Sequence, residues 1–143
     1  LISSSGGHFE QLKMLSVLQE DYDLFWVTEK SDYNSDVNYL LLQTGMKDRL
    51  FPIKMVINMF KTLRIWLKEK PDYVITTGAM VVIPMAILAK LFRKKLIFIE
   101  TFARVYNGTR TGKFMYKYAD LFIIQWEQLE KVYPNAKYGG GLY

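Results

Sequence analysis

Residues 71–100 read PDYVITTGAMVVIPMAILAKLFRKKLIFIE, and their pattern indicates the fold class. A short apolar run is followed by a turn at Gly78, by an apolar helical segment that Pro84 begins, and by a second apolar run that ends at Glu100. Two strands joined through a helix in this way form one parallel unit of an α/β sheet.

The same alternation of short apolar runs and longer amphipathic segments extends over the whole chain, and it predicts a parallel sheet with helices on both faces. The predicted strands are Leu1–Ser3, Leu24–Thr28, Arg49–Pro52, Tyr73–Thr76, Leu96–Glu100 and Leu121–Ile124. The predicted helices are His8–Gln19, Val37–Gln43, Met55–Glu69, Pro84–Phe92, Thr111–Tyr118 and Trp126–Val132. Polar residues 30–36 are expected to form a loop at the carboxyl edge of the second strand, where open α/β sheets bind ligands.

The composition restricts the class of protein. A length of 143 residues fits one domain, residues 1–143, with a single core. With no cysteine and one histidine, the chain has no disulfide, thiolate metal site or multi-histidine metal centre, so we expect no metal. The net charge of +5 predicts an anionic partner, although no nucleic-acid-binding module is recognisable. The chain opens on Leu1 inside a predicted strand, and we expect its first residues to be missing.

The segment SSSGGH, residues 3–8, follows a predicted strand and opens a helix. Glycines permit a tight turn, and exposed amides at a helix start attract phosphate, so Ser5, Gly6 and Gly7 are candidate phosphate ligands. An ordinary turn capped by serines is the alternative. The single histidine, His8, is a candidate general base or a hydrogen-bond donor.

A second loop, containing Thr77 and Gly78, is predicted to lie at the same sheet edge, so that both loops can bind one ligand. A structural turn is the alternative. Glu29 stands about twenty residues after the first glycines, as the ribose-binding acid of dinucleotide sites does. Because residues 4–9 do not read GxGxxG, we interpret Glu29 as a solvated residue at a strand end.

The third predicted constellation places Glu100 at a strand end and Arg104 four residues later. Glu100 can bind hydroxyls or act as a base, and Arg104 can meet phosphate; an ion pair between the two is the alternative. Residues 109–113, TRTGK, form a polar turn into a helix, which suits a further phosphate contact or a helix cap.

The predicted helix Met55–Glu69 is amphipathic. Its apolar arc is expected to pack in the core, since that is the usual position of such a face. The alternative is contact of its cationic face, in which Ile57 and Ile65 are embedded, with acidic lipid headgroups. The arc comprises Met55, Val56, Met59, Phe60, Leu63, Trp66 and Leu67, and the cations are Lys61, Arg64 and Lys68.

Three stretches together resemble the Alg14 family, including bacterial capsule and exopolysaccharide members of the PssD and EpsF kind. They are SSSGGHFEQL (residues 3–12), the block from PDYVITTGA to DLFIIQWEQL (residues 71–129) and the closing YGGGLY (residues 138–143). The resemblance implies a three-layer Rossmann-like domain, equivalent to the N-terminal acceptor half of a GT-B glycosyltransferase and similar to the acceptor domain of MurG.

The family also implies a function. Together with an Alg13-like subunit that carries the donor domain, members transfer N-acetylglucosamine or galactose from a UDP-sugar to a lipid-diphosphate-linked saccharide. We expect no cofactor. The resemblance places the chain on the cytoplasmic face of a membrane, where we expect it to associate peripherally or through an anchor in its missing first residues. A pure membrane adaptor for the donor subunit and a small self-sufficient nucleotide-binding enzyme are the alternatives.

Site residues follow from the resemblance position by position. Gly6, Gly7 and His8 match one acceptor loop, Gly78 matches the second, and Glu100 matches the carboxylate after the fifth strand. Either His8 or Glu100 is then expected to assist deprotonation of the attacking hydroxyl. The predicted interface with the partner comprises Trp126, Glu127, Tyr138, Gly139, Gly140, Leu142 and Tyr143.

Overall fold

A computed structural model describes residues 1–32, 37–45 and 47–143. Its strands are β1 (Val27–Glu29), β2 (Tyr39–Leu41), β3 (Tyr73–Thr76), β4 (Lys95–Ile99), β5 (Leu121–Ile124) and β6 (Lys137–Tyr138). All pairings are parallel, and Ile2 bridges Val27 of β1 and Thr76 of β3. The order across the sheet is therefore β2, β1, Ile2, β3, β4, β5, β6, and the predicted parallel sheet is confirmed.

The helices cover both faces of this sheet. They are α1 (Gly7–Lys13), α2 (Phe51–Glu69), α3 (Ile83–Leu91) and α4 (Arg110–Met115), with 3-10 turns at Met14–Glu20, Met80–Val82 and Glu127–Lys131. Side chains alternate along a strand, so Leu1 and Trp26 pack with α1 while Ile2 and Val27 join the larger cluster with α2 and α3. Among the described residues, no helix combines the length and apolarity needed to cross a membrane.

Two predicted elements between residues 37 and 52 are wrong. The predicted helix Val37–Gln43 contains strand β2, because parallel pairing with β1 outweighs the helix propensity of its leucines. In place of the predicted strand Arg49–Pro52, the structure begins helix α2 at Phe51. Pro52 lies in the first turn of this helix, a position that proline favours. Of the predicted loop at residues 30–36, positions 33–36 lie outside the described residues.

The predicted orientation of α2 is also wrong. The helix buries Asn58, Thr62, Ile65 and Trp66 and turns most of the predicted core arc outward. The reason is its position beside the edge strand: the Asn58 side chain accepts from Leu42 N and donates to Leu42 O, each at 2.8 Å, so a polar residue faces inward. Exposed as a result are Ile53, Val56, Ile57, Met59, Phe60, Leu63 and Leu67.

Candidate functional site

The two glycine-bearing loops meet at the carboxyl edge of the sheet, as predicted. They follow the segment around Ile2 and strand β3, which are neighbours at the point where the winding direction reverses. Ser4 N donates to Gly78 O across the gap at 3.1 Å. Open α/β sheets bind ligands at such a reversal, since the loops diverge and leave a crevice.

His8 joins the two loops through a pair of hydrogen bonds to Thr77. Its Nδ1 lies 2.7 Å from Thr77 O, and the Thr77 hydroxyl donates to His8 O, also at 2.7 Å. A carbonyl oxygen only accepts, so Nδ1 carries the proton and the lone pair of the neutral ring is on Nε2. The Thr77 carbonyl therefore orients the imidazole and the Thr77 hydroxyl holds the backbone of His8, while phosphate binding by Thr77 stays a prediction.

The surroundings of His8 favour the neutral ring. Burial lowers the pKa of His8 below its ordinary value of 6.5, and this effect exceeds the opposing effects of the Thr77 carbonyl and of the Glu100 and Glu29 carboxylates. The ring lies against Gly78, whose φ of +105° favours glycine. At neutral pH, His8 is therefore a neutral base with a defined tautomer.

The first loop presents backbone amides rather than side chains. Gly6 has a φ of +74°, and both Gly6 and Gly7 are exposed with open space around their Cα atoms. Within the described part of the chain, the amides of Gly6, Gly7 and His8 have no acceptor, whereas Ser5 N donates to Glu29 Oε2 at 3.4 Å. Three unpaired amides at a turn attract an anion.

The interpretation of Glu29 as a solvated residue at a strand end is wrong, because its side chain is buried and the residue is only 3% exposed. Its Oε1 accepts from the Thr44 amide at 2.8 Å and from the Thr44 hydroxyl at 2.6 Å. Together with the Ser5 amide, these contacts tie the first loop to the chain after β2. The exposure of Glu29 depends on residues that are distant in sequence, so the strand-end pattern alone did not reveal its burial.

A cavity of about 210 Å³ opens at the same sheet edge. Its wall is drawn from the first loop, from the ends of β1 and β2, from the second loop and from the starts of α2 and α4. The lining residues are Ser4, Glu29, Thr44, Phe51, Ala79, Met80, Arg110 and Thr111. His8 is outside this lining, but its ring contacts Gly78, the residue before Ala79.

Glu100 is fully buried, whereas Gly6 and Gly7 of the first loop are exposed. Its Oε1 accepts from Thr101 N at 3.0 Å and from the Thr109 hydroxyl at 2.9 Å; its Oε2 accepts from Thr109 N at 3.1 Å and Tyr133 OH at 2.7 Å. Burial and the Glu100 carboxylate raise the pKa of Tyr133, so the phenol keeps its proton and donates it. A Cβ at Gly112 would overlap Glu100 Oε2, so helix α4 lies directly against the carboxylate.

The catalytic role of Glu100 stays a prediction that this enclosure does not favour. The alternative ion pair with Arg104 is absent among the described residues, where Arg104 is exposed and Glu100 bonds Thr109 and Tyr133 instead. Arg104 does not line the cavity, whereas Arg110 does. In the segment TRTGK, Thr109 caps α4 by accepting from Gly112 N at 2.8 Å, which confirms the helix-cap interpretation. Arg110 lines the cavity, and a phosphate contact by this segment stays a prediction.

The predicted partner interface lies beside the loop that follows Glu100. Trp126 Nε1 donates to Phe102 O at 2.7 Å, and the rings of Trp126 and Tyr143 pack on Phe102 with centroids 4.6 and 5.4 Å away. Leu142 N donates to Gln125 Oε1 at 2.9 Å, and Gly139 N to Ile124 O at 3.0 Å. Glu127, Tyr138 and Tyr143 remain exposed, and Gly140 has a φ of +75°.

Buried amides connect this tail to α1. Gln11 Oε1 accepts from Gln125 Nε2 at 2.8 Å and from Phe102 N at 3.0 Å, while Gln125 Nε2 also donates to Glu100 O. Within the described ranges, no group of three or more histidine, cysteine or acidic residues is placed to hold a metal ion.

Relatives carry the same sequence pattern. A subunit named UDP-N-acetylglucosamine transferase subunit ALG14 from Yarrowia lipolytica is 24% identical over 96% of this chain, and its human namesake is 33% identical over 51%. The chain spans 64% of the Yarrowia protein and the human match covers 37% of that protein, so each relative is considerably longer than the matched part.

Solved structures share the fold. MurG of Acinetobacter baumannii superposes with a TM-score of 0.68 at 16% identity, over 89% of this chain and 42% of that one. The UDP-GlcNAc 2-epimerase of Methanocaldococcus jannaschii superposes with a TM-score of 0.66 at 15% identity, over 91% of this chain and 40% of the epimerase chain. This likeness confirms the predicted Rossmann-like fold, equivalent to one half of a GT-B protein.

The family model described as oligosaccharide biosynthesis protein Alg14 like matches residues 49–142, about two thirds of the sequence. That range includes the second loop, Glu100, α4 and most of the tail, while the match to the relative from Yarrowia covers 96% of this chain. The chain therefore belongs to the Alg14 family.

Proposed function

We propose that this chain is the acceptor-binding subunit of a two-component glycosyltransferase in oligosaccharide or polysaccharide biosynthesis. A separate Alg13-like subunit holds most of the UDP-sugar, and the acceptor is a lipid-diphosphate-linked saccharide. The names of the relatives, transferase subunits for N-acetylglucosamine, favour that sugar over galactose. The tail, residues 138–143, with Trp126 and Glu127, docks the partner.

The observation that carries the proposal is the pairing of a neutral histidine with free backbone amides at one sheet edge. The amides of Gly6 and Gly7 hold diphosphate oxygens, and Arg110, on the cavity wall, supplies a cation to the same group. Nε2 of His8 takes the proton of the acceptor hydroxyl as the hydroxyl oxygen attacks the anomeric carbon and UDP departs with the bonding electrons.

Membrane association is part of the same proposal. A lipid-linked acceptor stays in its bilayer, so the subunit that binds it must work at the membrane surface. The net charge of +5 suits the anionic lipids of a cytoplasmic leaflet. We place the chain there peripherally.

The test of the proposal is a reconstituted transfer assay. The chain alone, incubated with UDP-N-acetylglucosamine and a short-chain lipid-diphosphate acceptor, should show no turnover, because a cleft between two halves needs both. Adding a donor-domain subunit should restore transfer. Robust transfer by the chain alone would contradict the two-component assignment, and UDP affinity in the isolated chain would favour a self-sufficient enzyme.

A further inference from the structure

We propose that an exposed apolar face on α2 and α3 docks the protein on an anionic bilayer surface and places the cavity next to that surface. The docking face comprises Ile53, Val56, Phe60, Leu63 and Leu67 of α2 and Leu91 of α3. This face gives the peripheral membrane placement proposed above a defined surface, and the entry of the acceptor into the cavity rests on the proposed function.

The five α2 residues form one continuous stripe. At 100° per residue they fall within an arc of about 80°, and from Ile53 to Leu67 the stripe runs roughly 20 Å. Phe60 is 64% exposed and Leu91 is 71% exposed. The buried ring of Trp66 stacks on that of Phe92 with centroids 5.5 Å apart, so the end of α3, with Leu91, lies beside this part of α2. A water-soluble helix normally buries such a stripe, so a partner surface is required.

The charges beside the stripe identify that partner as an anionic surface. Lys61, Arg64 and Lys68 are exposed along one flank of α2. The single acid of the helix, Glu69, accepts from the Tyr39 hydroxyl and lies beside Lys68. An apolar stripe with a cationic flank is the pattern of helices that lie in a headgroup layer. Two copies meeting through this face would bring like charges together, so self-association is disfavoured.

The position of the cavity fits a membrane-bound acceptor. Phe51 lines the cavity and is the first residue of α2, whereas Ala79 and Met80 line it just before α3. Both helices of the docking face thus begin at the cavity wall. A diphosphate-linked sugar can enter the cavity from the side while its lipid chain remains in the bilayer beside α2.

Vesicle co-sedimentation of the purified chain tests the apolar stripe. Phosphatidylcholine vesicles with about one third phosphatidylglycerol should bind the chain, and the double variant Phe60→Ser, Leu67→Ser should bind at least about tenfold more weakly. The matched control is Val17→Ser, Tyr22→Ser: both side chains are 60% exposed, and they lie on or beside the 3-10 turn that follows α1, on the opposite face of the sheet. Circular dichroism should show all three proteins folded.

Charge variants test the lipid preference independently. Lys61→Glu, Arg64→Glu should lower binding to anionic vesicles by about tenfold or more. Lys131→Glu, Lys137→Glu changes the net charge equally but lies on the last 3-10 turn and on β6, at the far edge from β2, and should bind nearly as the parent does.

Equal binding by the stripe variant and its control would overturn the proposal, as would equal binding to neutral and anionic vesicles. So would a dimer by light scattering that only the stripe variant converts to monomer. The assay contains no donor, acceptor or partner. Failure of docking therefore contradicts only the peripheral membrane placement and leaves the transfer reaction standing, whereas failed transfer with intact docking contradicts only the transferase assignment.

Discussion

His8 and Glu100 lie at the same edge of the sheet, yet their surroundings are opposite. The imidazole of His8 is fixed at one nitrogen by Thr77 and keeps the other nitrogen as a free base. Both oxygens of Glu100 are occupied by backbone amides, by Thr109 and by the Tyr133 hydroxyl. Position at a strand end therefore does not by itself make a group reactive, because a general base also needs a lone pair that is free to accept a proton from substrate.

Replacing His8 should have the largest effect on catalysis. His8→Ala should lower kcat in the reconstituted assay by about 10²- to 10⁴-fold, since this is the usual contribution of a general base. Partner binding, measured by co-purification, and the unfolding temperature should stay close to those of the parent, because the ring is only half-buried.

His8→Asn sharpens that result. The Asn amide can still donate to Thr77 O but has no basic nitrogen, so it should be as slow as His8→Ala. Recovery of the parent rate in His8→Asn would show that His8 acts only by holding the second loop. Parent rates in both variants would support a membrane adaptor instead.

Replacing Glu100 should have its main effect on stability. Glu100→Ala removes the acceptor of two amides and two hydroxyls in a closed space, and we expect the free energy of unfolding in urea to fall by about 3 kcal/mol or more. Glu100→Gln keeps the volume and one carbonyl acceptor and should lose roughly half as much.

The two Glu100 variants also separate positioning from catalysis. If positioning is its role, kcat of folded Glu100→Gln should remain within about tenfold of the parent, since a general base contributes 10²- to 10⁴-fold. A fully stable Glu100→Gln with turnover lowered to the level of His8→Ala would instead make Glu100 a catalytic residue in a conformation that opens around it.

A smaller effect is expected at Gly112, which borders the Glu100 carboxylate. Gly112→Ala places a Cβ against Glu100 Oε2 and should lower the free energy of unfolding by about 1–3 kcal/mol through overpacking. Gly45→Ala is the matched control: apart from its chain neighbours, no atom of the described residues lies within 4 Å of the added Cβ, so the change should stay within about 0.5 kcal/mol. Equal effects at the two glycines would mean that α4 is free to move away from the carboxylate.

The fold was predictable from sequence wherever local pattern and tertiary position agree. The β3–α3–β4 unit is correct to within about a residue or two at each end because buried strands and a proline-started helix need no distant partner to be recognised. β2 and the face of α2 were not predictable, since both depend on contacts between β1, Leu42 and Asn58 that no periodicity encodes.

The candidate site was predictable to the same extent. Glycines after strands identified the two loops, and their meeting follows from parallel topology. The burial of Glu29 and the use of Glu100 by Tyr133 were not, because Thr44 and Tyr133 are fifteen and thirty-three residues distant. The two arginines could not be told apart either: Arg110, the first residue of α4, lines the cavity, and Arg104 does not.

The smallest expected effect is in the pH dependence of His8. Because burial lowers its folded pKa below the unfolded value of 6.5, the unfolded chain binds a proton first as pH falls. The stability contributed by His8 is therefore complete above pH 6.5 and is lost as pH falls through the folded pKa, with a slope of at most about 1.4 kcal/mol per pH unit. Urea unfolding between pH 5 and 8 should show this slope in the parent and a shallower one in His8→Asn.

In the reconstituted assay, kcat/KM should already be at its plateau at pH 7, since the base is deprotonated there. A half-maximal rate above pH 7 would mean that the base is not a desolvated imidazole and would remove the contrast with Glu100.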